Sequence, residues 1–188
     1  MHMSVGLRLD EDSLHEAALA HLARFATTQA GLRRVLNRRV DRWIRAQPDA
    51  VAPEQAASAR EAVGRVVARL AAAGAIDDAA FAAARAARLA RSGHSRAAIS
   101  AHLAARGIDK TTIGSAAAAD PETEFAAALK LASRRRIGPF RAEPADDAAR
   151  RRELGVLARA GFPRDVALRA LATDEETAES ILRRLKEG

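Results

Sequence analysis

The chain has 188 residues and a formal net charge of +7, and this positive charge favours a polyanionic partner, either a nucleic acid or a nucleoprotein. The absence of cysteine excludes disulfides, cysteine nucleophiles and thiolate metal sites, and it fits a protein of the reducing cytosol. Although 48% of the residues are apolar, only 3% are aromatic, so closely packed alanine-rich helices in small modules are favoured over one large core.

Residues 1–12 open the chain without a periodic apolar pattern, which predicts a disordered lead-in. They contain no apolar signal core, and three acidic residues, Asp10, Glu11 and Asp12, interrupt any amphipathic targeting helix. No apolar run in the sequence approaches the roughly eighteen residues that a membrane span needs. We therefore expect a cytoplasmic protein that makes no membrane contact.

The first predicted helix starts at a capping box, because Ser13 and Glu16 have the spacing at which the two side chains bond reciprocally to backbone N–H groups. Its apolar residues recur at helical spacing. They define one buried face, made of Leu14, Ala18, Leu22 and Phe25.

The second predicted helix is capped at Thr27-Thr28 and separates apolar from basic side chains. Its apolar stripe contains Leu32, Leu36, Val40 and Trp43, so Trp43 is interpreted as a core residue rather than a stacking platform. The opposite face carries arginines that fall within one sector at about 100° per residue. These arginines are Arg34, Arg38, Arg42 and Arg45, and Asp41 is the acidic residue within this helix.

A third predicted helix begins at Pro53, a residue that suits the first helical turn. Its buried stripe consists of Val63, Val66, Val67 and Leu70. Together the three helices form a predicted first repeat over residues 13–75.

The stretch from residue 70 to residue 108 contains the same stop-and-start signal twice. Gly74 ends one helix, Asp77 caps the next, and Ile76 and Phe81 have the spacing of a hydrophobic staple. Gly107 and Asp109 repeat the stop and the cap, and Ile108 and Ile113 repeat the staple. Because the signal recurs, it predicts small helical modules in tandem, with a second repeat over residues 76–119.

This stretch resembles the RecX family, the bacterial regulators of the RecA recombinase. The resemblance lies in an ordered spacing of glycines, aspartates and apolar residues: Leu70, Gly74, Ile76, Asp77, Asp78, Phe81, Ala82, Gly93, Ile99, Leu103, Gly107 and Ile108. The second helix, with Leu32-Arg33-Arg34 and Leu36, is similar to the N-terminal repeat of that family. The resemblance implies an elongated all-α crescent.

The last part of the chain echoes the central module. Asp120 and Pro121 predict a helix start, and the pair Phe125-Ala126 repeats Phe81-Ala82. A loop insertion is predicted near residues 137–146, and Thr173 with Glu176 offers a last capping box. The sequence therefore predicts an all-α protein, an elongated curved array of about three tandem three-helix repeats, with the third repeat over residues 120–188.

No catalytic constellation is evident in the sequence. The histidines lack metal-ligand spacing, and phosphate-loop and nucleophile-elbow motifs are missing. Asp77 and Asp78 could suggest acid–base or metal chemistry, but the capping role explains Asp77 completely. We therefore expect a protein that is not an enzyme and that uses no cofactor and no metal.

The arginines are the candidate functional residues, because guanidinium groups bind phosphates and carboxylates in bidentate geometry. We expect the arginines to contact the phosphate backbone of single- or double-stranded DNA, so that binding is independent of sequence and depends strongly on salt. The scarcity of aromatic residues argues against base stacking as a main mode of binding. The candidates are Arg34, Arg38, Arg42, Arg45, Arg85, Arg88, Arg91, Arg134, Arg135, Arg136, Arg151 and Arg152.

The leading hypothesis from the resemblance is a monomeric regulator that lies in the groove of the RecA–DNA filament. It would lower the ATPase, strand-exchange and co-protease activities of RecA in recombinational repair and the SOS response. One alternative is an autonomous DNA-binding protein of the helix-turn-helix kind, since short helices joined by glycine turns would fit. Another is a helical repeat scaffold that binds an acidic protein partner and no nucleic acid.

Overall fold

The computed structural model describes residues 9–48, 50–118 and 120–187, and within these ranges it contains ten α-helices and no β-strand. The all-α prediction is confirmed. A 3₁₀ turn at Gly138–Phe140 lies inside the predicted loop insertion. The helices are α1 (Glu11–Leu22), α2 (Gln29–Ala46), α3 (Pro53–Ala72), α4 (Asp78–Arg91), α5 (Arg96–Ala105), α6 (Lys110–Ala116), α7 (Pro121–Arg135), α8 (Asp147–Arg159), α9 (Arg164–Ala172) and α10 (Glu175–Glu187).

The chain divides into two compact units that interleave along the sequence. The first unit comprises Met1–Phe81 and Arg106–Ile108, and the second comprises Ala82–Ala105 and Asp109–Gly188. The division into three repeats with boundaries at residues 75 and 119 stays a prediction. Most of the predicted lead-in, residues 1–8, lies outside the described residues, and helical structure already begins at Glu11.

The core of the first unit forms where α1, α2 and α3 meet. The predicted stripes of α2 and α3 are buried there, with Leu36 and Val66 almost fully enclosed. Trp43 is half-buried and packs against this core, as predicted. The carboxylate of Glu11 joins α1 to α3, because Arg65 and Arg69 approach it within 2.9 and 3.2 Å.

Two predictions about α1 are wrong. The cap is Asp10 rather than Ser13, since the Asp10 carboxylate accepts a hydrogen bond from the Ser13 N–H at 2.9 Å. Phe25 does not belong to the buried face, because α1 ends at Leu22 and the helical period no longer applies three residues later. The Phe25 side chain is 52% exposed.

The second unit is built around α7, whose buried side includes Phe125 and Leu129. Small side chains at residues 126–128 are also buried, so neighbouring helices can approach this helix closely. Arg169 of α9 lies 3.7 Å over the Phe125 ring and pairs with Glu122, which fixes α9 against α7.

The predicted capping box at Thr173 and Glu176 is also wrong. Thr173 ends α9, and Asp174 caps α10 by accepting a hydrogen bond from the Thr177 N–H at 2.8 Å. An Asp side chain is a better N-cap acceptor than the hydroxyl one residue before it, and it shifts the helix start by one position. The caps predicted at Thr28, Asp77, Asp109 and Asp120 are confirmed.

The start of α2 contacts three groups of the first unit: the carbonyl of Arg106, the backbone of Gly107 and the carboxylate of Asp78. The buried Thr28 hydroxyl accepts from the Gly31 N–H at 2.9 Å and donates to the carbonyl of Arg106 at 2.8 Å. The next residue, Gly107, has a φ of +80°, and a Cβ on it would lie 2.3 Å from the Ala30 Cβ. Only glycine therefore fits this turn. The Asp78 carboxylate accepts from the Gln29 N–H at 2.9 Å.

The start of α5 repeats this arrangement inside the second unit. The buried Ser95 hydroxyl accepts from the Ala98 N–H at 3.1 Å and donates to the carbonyl of Ala160 at 2.7 Å. Gly161 follows with a φ of +87°, and a Cβ on it would lie 2.8 Å from the Ser95 Oγ. Both carboxylate oxygens of Glu124 accept from the Arg96 N–H, at 3.1 and 2.9 Å. We call these two arrangements the Thr28 junction and the Ser95 junction.

Candidate nucleic-acid interface

The outer side of α2 is a basic surface of the first unit, which we call the α2 face: Arg34, Arg38, Arg42 and Arg45. All of these side chains are exposed, while the opposite side of the helix is held in the core. Asp41, the acidic residue of this helix, pairs instead with Arg60 of α3 at 3.1 Å. Within the described ranges, none of these arginines forms an ion pair with a carboxylate. Their charge is therefore available to a ligand.

The structure adds two arginines that the sequence analysis did not single out. Arg24 and Arg39 line a groove between α1 and α2, and Arg42 of the α2 face lines it as well. Arg24 was missed because it follows the end of α1, and Arg39 because it lies outside the predicted arginine sector. A charged residue just after a helix end, followed by Phe25, is the sequence signal that could have indicated this groove.

The predicted arginines of α4 lie in the second unit and differ from one another. Arg85 is half-buried, and its Nε donates to the Nε2 of His102 at 3.1 Å. This bond ties α4 to α5 and gives Arg85 a structural role. Arg88 and Arg91 are exposed in the last turn of α4, where cations are favoured by the helix dipole.

The arginines at the end of α7 are exposed and surround the helix terminus. Arg134 and Arg135 occupy its last turn, and Arg136 is the C-cap, with a left-handed φ of 52°. Arg135 shares a groove with Arg159 of α8, which was not among the sequence candidates. The groove is thus lined by two arginines that are distant from each other in sequence.

The arginines of α8 lie beside acidic groups of the same unit. Arg151 and Arg152 are exposed, and Arg151 lines a groove that also contains Arg141, Asp147 and Glu153. In that groove Arg141 is engaged by Glu153 at 3.1 Å, and Asp147 by Arg150 at 3.5 Å. Its cations are therefore partly neutralised, unlike those of the α2 face.

The carboxyl groups with shifted pKa values have local structural causes. The hydrogen bond from Arg65 lowers the pKa of Glu11, and the Thr112 hydroxyl lowers the pKa of Asp109. Burial raises the pKa of Glu124 at the Ser95 junction. Because caps, an ion pair and burial within the fold explain these shifts, they do not indicate an acid–base site.

The described residues contain no group of three histidine or acidic side chains that could hold a metal ion. None of their helices combines the length and the apolar character that crossing a membrane requires.

Comparison with known proteins gives consistent matches. Residues 77–116 match the model of the RecX second three-helix domain. The chain is 35% identical over 161 residues to the regulatory protein RecX of Myxococcus xanthus (strain DK1622), covering 84% of this chain and 83% of that protein. It is 31% identical over 108 residues to the regulatory protein RecX of Agrobacterium fabrum (strain C58 / ATCC 33970), covering 57% and 58% of the two chains.

Solved structures show the same fold. A crystal structure of a regulatory protein RecX superposes with a TM-score of 0.60 at 22% identity, over 83% of this chain and 68% of that chain. The crystal structure of RecX from Lactobacillus salivarius gives a TM-score of 0.60 at 15% identity, over 95% and 97% of the two chains. At these identities the superpositions support the helical fold alone.

Proposed function

The chain belongs to the RecX family, and from this membership we propose that it regulates the RecA recombinase by binding the filament that RecA forms on DNA. The observation that carries the proposal is the α2 face, whose guanidinium groups are exposed and have no carboxylate partner in the described part of the chain. Such groups bind phosphate oxygens in bidentate geometry. We place the DNA contact of the regulator on this face.

The proposed mode of action is physical occupation of the filament groove by a monomer. The protein bridges adjacent RecA protomers and contacts the DNA backbone through its arginines, independently of sequence. ATP hydrolysis, strand exchange and co-protease activity of RecA then decrease, because the bridged protomers no longer turn over freely. In this proposal the protein performs no chemistry of its own and acts in the cytoplasm during recombinational repair and the SOS response.

The remaining candidate clusters have a secondary place in the proposal. Exposed arginines of the second unit, at the ends of α4 and α7 and along α8, are available to the filament as well. Arg85 is the weakest candidate, since its guanidinium is half-buried and already bonded to His102. The α2 face therefore comes first in the experiment.

The test measures the ATPase rate of the cognate RecA on single-stranded DNA, titrated with this protein, with the DNA saturated by RecA beforehand. The variant is Arg34→Glu/Arg38→Glu/Arg42→Glu, which reverses three exposed charges without touching the buried side of α2. We expect substoichiometric inhibition by the natural protein. The variant should lose most of it, while its helical circular dichroism stays unchanged.

The matched control is Arg106→Glu/Lys110→Glu/Arg164→Glu, which changes the net charge by the same amount at exposed positions outside the candidate clusters. Lys110 and Arg164 start helices, where glutamate is favoured by the helix dipole. Equal loss in both variants would assign the effect to net charge and remove the α2 face from the proposal. Inhibition only at DNA-saturating amounts would favour an autonomous DNA-binding protein, and no DNA retardation at low salt would favour a protein scaffold.

A further inference from the structure

The groove between α1 and α2 combines an exposed aromatic ring with cations. It encloses about 380 Å³ in the first unit, and its polar lining consists of His21, Arg24, Arg39 and Arg42. None of the described residues that line it is acidic. A groove of this charge attracts an anionic ligand.

The aromatic ring in this groove is Phe25. It is 52% exposed, so a large part of its apolar surface gains no burial in the isolated chain. The His21 ring lies 5.2 Å away, tilted by 38°, and the Arg24 guanidinium lies 5.3 Å from the Phe25 ring centre. These two neighbours hold the ring in place and leave much of its surface open.

The cations of the groove continue the α2 face. Arg42 belongs to both surfaces, and Arg39, which lines the groove with Phe25, lies about 60° around α2 from it. Within the described part of the chain, Arg24, Arg39 and Arg42 form no ion pair. A polyphosphate backbone that follows the α2 face would therefore reach, at Arg42, the groove that Phe25 also lines.

We propose that this groove binds one unpaired base of a single-stranded nucleic acid, which stacks on Phe25 while Arg24, Arg39 and Arg42 contact the flanking phosphates. Alternating aromatic and cationic groups suit such a strand, because every base offers a π-face and every linkage a negative charge. Bases inside a duplex are already stacked and cannot reach the ring. An acidic peptide would use the arginines but would gain nothing from the exposed aromatic.

This inference deepens the proposed function, because it names a ligand for the surface next to the α2 face and rests on that surface binding DNA. It also refines the sequence-based expectation about stacking. Few aromatic residues still mean few stacking positions, and the structure assigns one of them to Phe25.

The test compares two probes of equal length and charge, oligodeoxythymidylate and its abasic counterpart, by fluorescence anisotropy at low salt. The natural protein should bind the thymidine strand more tightly. Phe25→Leu keeps an apolar side chain but removes the ring, and it should weaken thymidine binding at least about fivefold and leave abasic binding unchanged. Phe25→Trp should retain the preference, and Leu19→Ala, which removes another exposed apolar side chain of α1, should have no effect.

Two further readouts separate stacking from charge. A 2-aminopurine base in the strand should be quenched by the natural protein and not by Phe25→Leu. Arg39→Gln/Arg42→Gln should weaken both probes alike and lower the salt slope of binding by about 1.4, since each single-strand phosphate contact contributes about 0.7.

Equal affinity of the natural protein for the two probes would overturn the stacking proposal, as would a Phe25→Leu variant that weakens both probes alike. Poly-glutamate can also be tested as a competitor of the thymidine strand. If it displaces the strand from the natural protein but no longer binds the Phe25→Leu variant, the groove belongs to an acidic protein and the proposal is overturned. In each of these cases inhibition of RecA by the natural protein could persist, so the failure of this subsite is distinguishable from the failure of the proposed function.

Discussion

The Thr28 junction and the Ser95 junction each cap the start of a helix and join it to a distant glycine turn, but they use different residues. In each, a buried hydroxyl caps a helix and donates to the carbonyl that precedes a left-handed glycine, and a carboxylate from another helix accepts the first N–H. The carboxylate is Asp78 in one and Glu124 in the other, and the hydroxyl belongs to Thr28 or Ser95. What repeats in this chain is therefore a pattern of hydrogen bonds from side chains to backbone groups, and the residues that supply the side chains can differ.

The difference between the junctions lies in the carboxylate. Asp78 reaches the Gln29 N–H with one oxygen, whereas Glu124 brings both oxygens to the Arg96 N–H. Burial raises the pKa of Glu124. The Ser95 junction therefore contains an acidic group whose ionisation opposes folding. Substitutions at single contacts of the two junctions can test this difference.

The largest expected effect comes from the glycines. Gly107→Ala should lower the free energy of unfolding by about 2–4 kcal/mol, because alanine is strained at positive φ and its Cβ would collide with that of Ala30. Gly161→Ala should cost less, since the nearest atom to its Cβ is the Ser95 Oγ at 2.8 Å. Urea unfolding measures both.

Two controls belong to the glycine experiment. Gly64→Ala, in the interior of α3 with open space around a Cβ, should stabilise by about 1 kcal/mol. Adding Ala30→Gly to Gly107→Ala should recover part of the loss by removing the colliding methyl group. Equal losses at residues 64 and 107 would contradict the steric explanation.

A smaller effect is expected from the hydroxyls. Thr28→Val and Ser95→Ala each remove a cap and leave a carbonyl without its donor, so each should lower the free energy of unfolding by about 1–2 kcal/mol. Thr28→Ser should keep most of the stability, because it retains the hydroxyl. A Thr28→Val variant as stable as the natural protein, together with an unstable Thr28→Ser variant, would show that the methyl group, rather than the hydrogen bonds, stabilises the junction.

The smallest effect is a pH dependence at the Ser95 junction. Since the folded-state pKa of Glu124 is raised, the folded protein binds this proton more tightly than the unfolded chain does. Ionisation of Glu124 therefore reduces stability as pH rises from its ordinary pKa of 4.5 through its raised folded-state pKa. Glu124→Gln cannot ionise and does not lose this stability. The Tm of the variant minus that of the natural protein should therefore increase as pH rises.

The comparison for this pH experiment is Glu124→Ala, which removes the acceptor of the Arg96 N–H and should lower the Tm throughout the pH range. A difference between Glu124→Gln and the natural protein that stays constant with pH would contradict the assigned role of burial.

The sequence allows much of the fold to be predicted, because its strongest signals are local. A helix stop at glycine and a helix cap at aspartate each depend on neighbours within a few residues. The caps at Asp77 and Asp109 are accordingly where the sequence predicts them. The wrong caps at Ser13 and Thr173 occurred where an aspartate stood nearby as a competing acceptor. Spacing alone therefore does not decide which of two nearby cap residues is used, and in both cases the aspartate is the one that caps the helix.

The site is predictable only in part, for a different reason. The α2 face follows from the period of a single helix. The Phe25 groove depends on where α1 ends and on how it packs against α2, so periodicity placed Phe25 in the core. The junction carboxylates join residues 49 and 28 positions apart, and no local pattern identifies such partners.

The hydrogen bond from Thr28 to the carbonyl of Arg106 has a consequence for synthesis on the ribosome. Its partners are 78 residues apart in sequence, and the first unit includes Arg106–Ile108. The N-terminal unit therefore cannot be completed until residue 108 has left the exit tunnel, by which time residues 82–105, which belong to the second unit, have already emerged. For the same reason no single proteolytic cut separates the units, and a fragment that stops at residue 105 exposes the buried Thr28 hydroxyl to water.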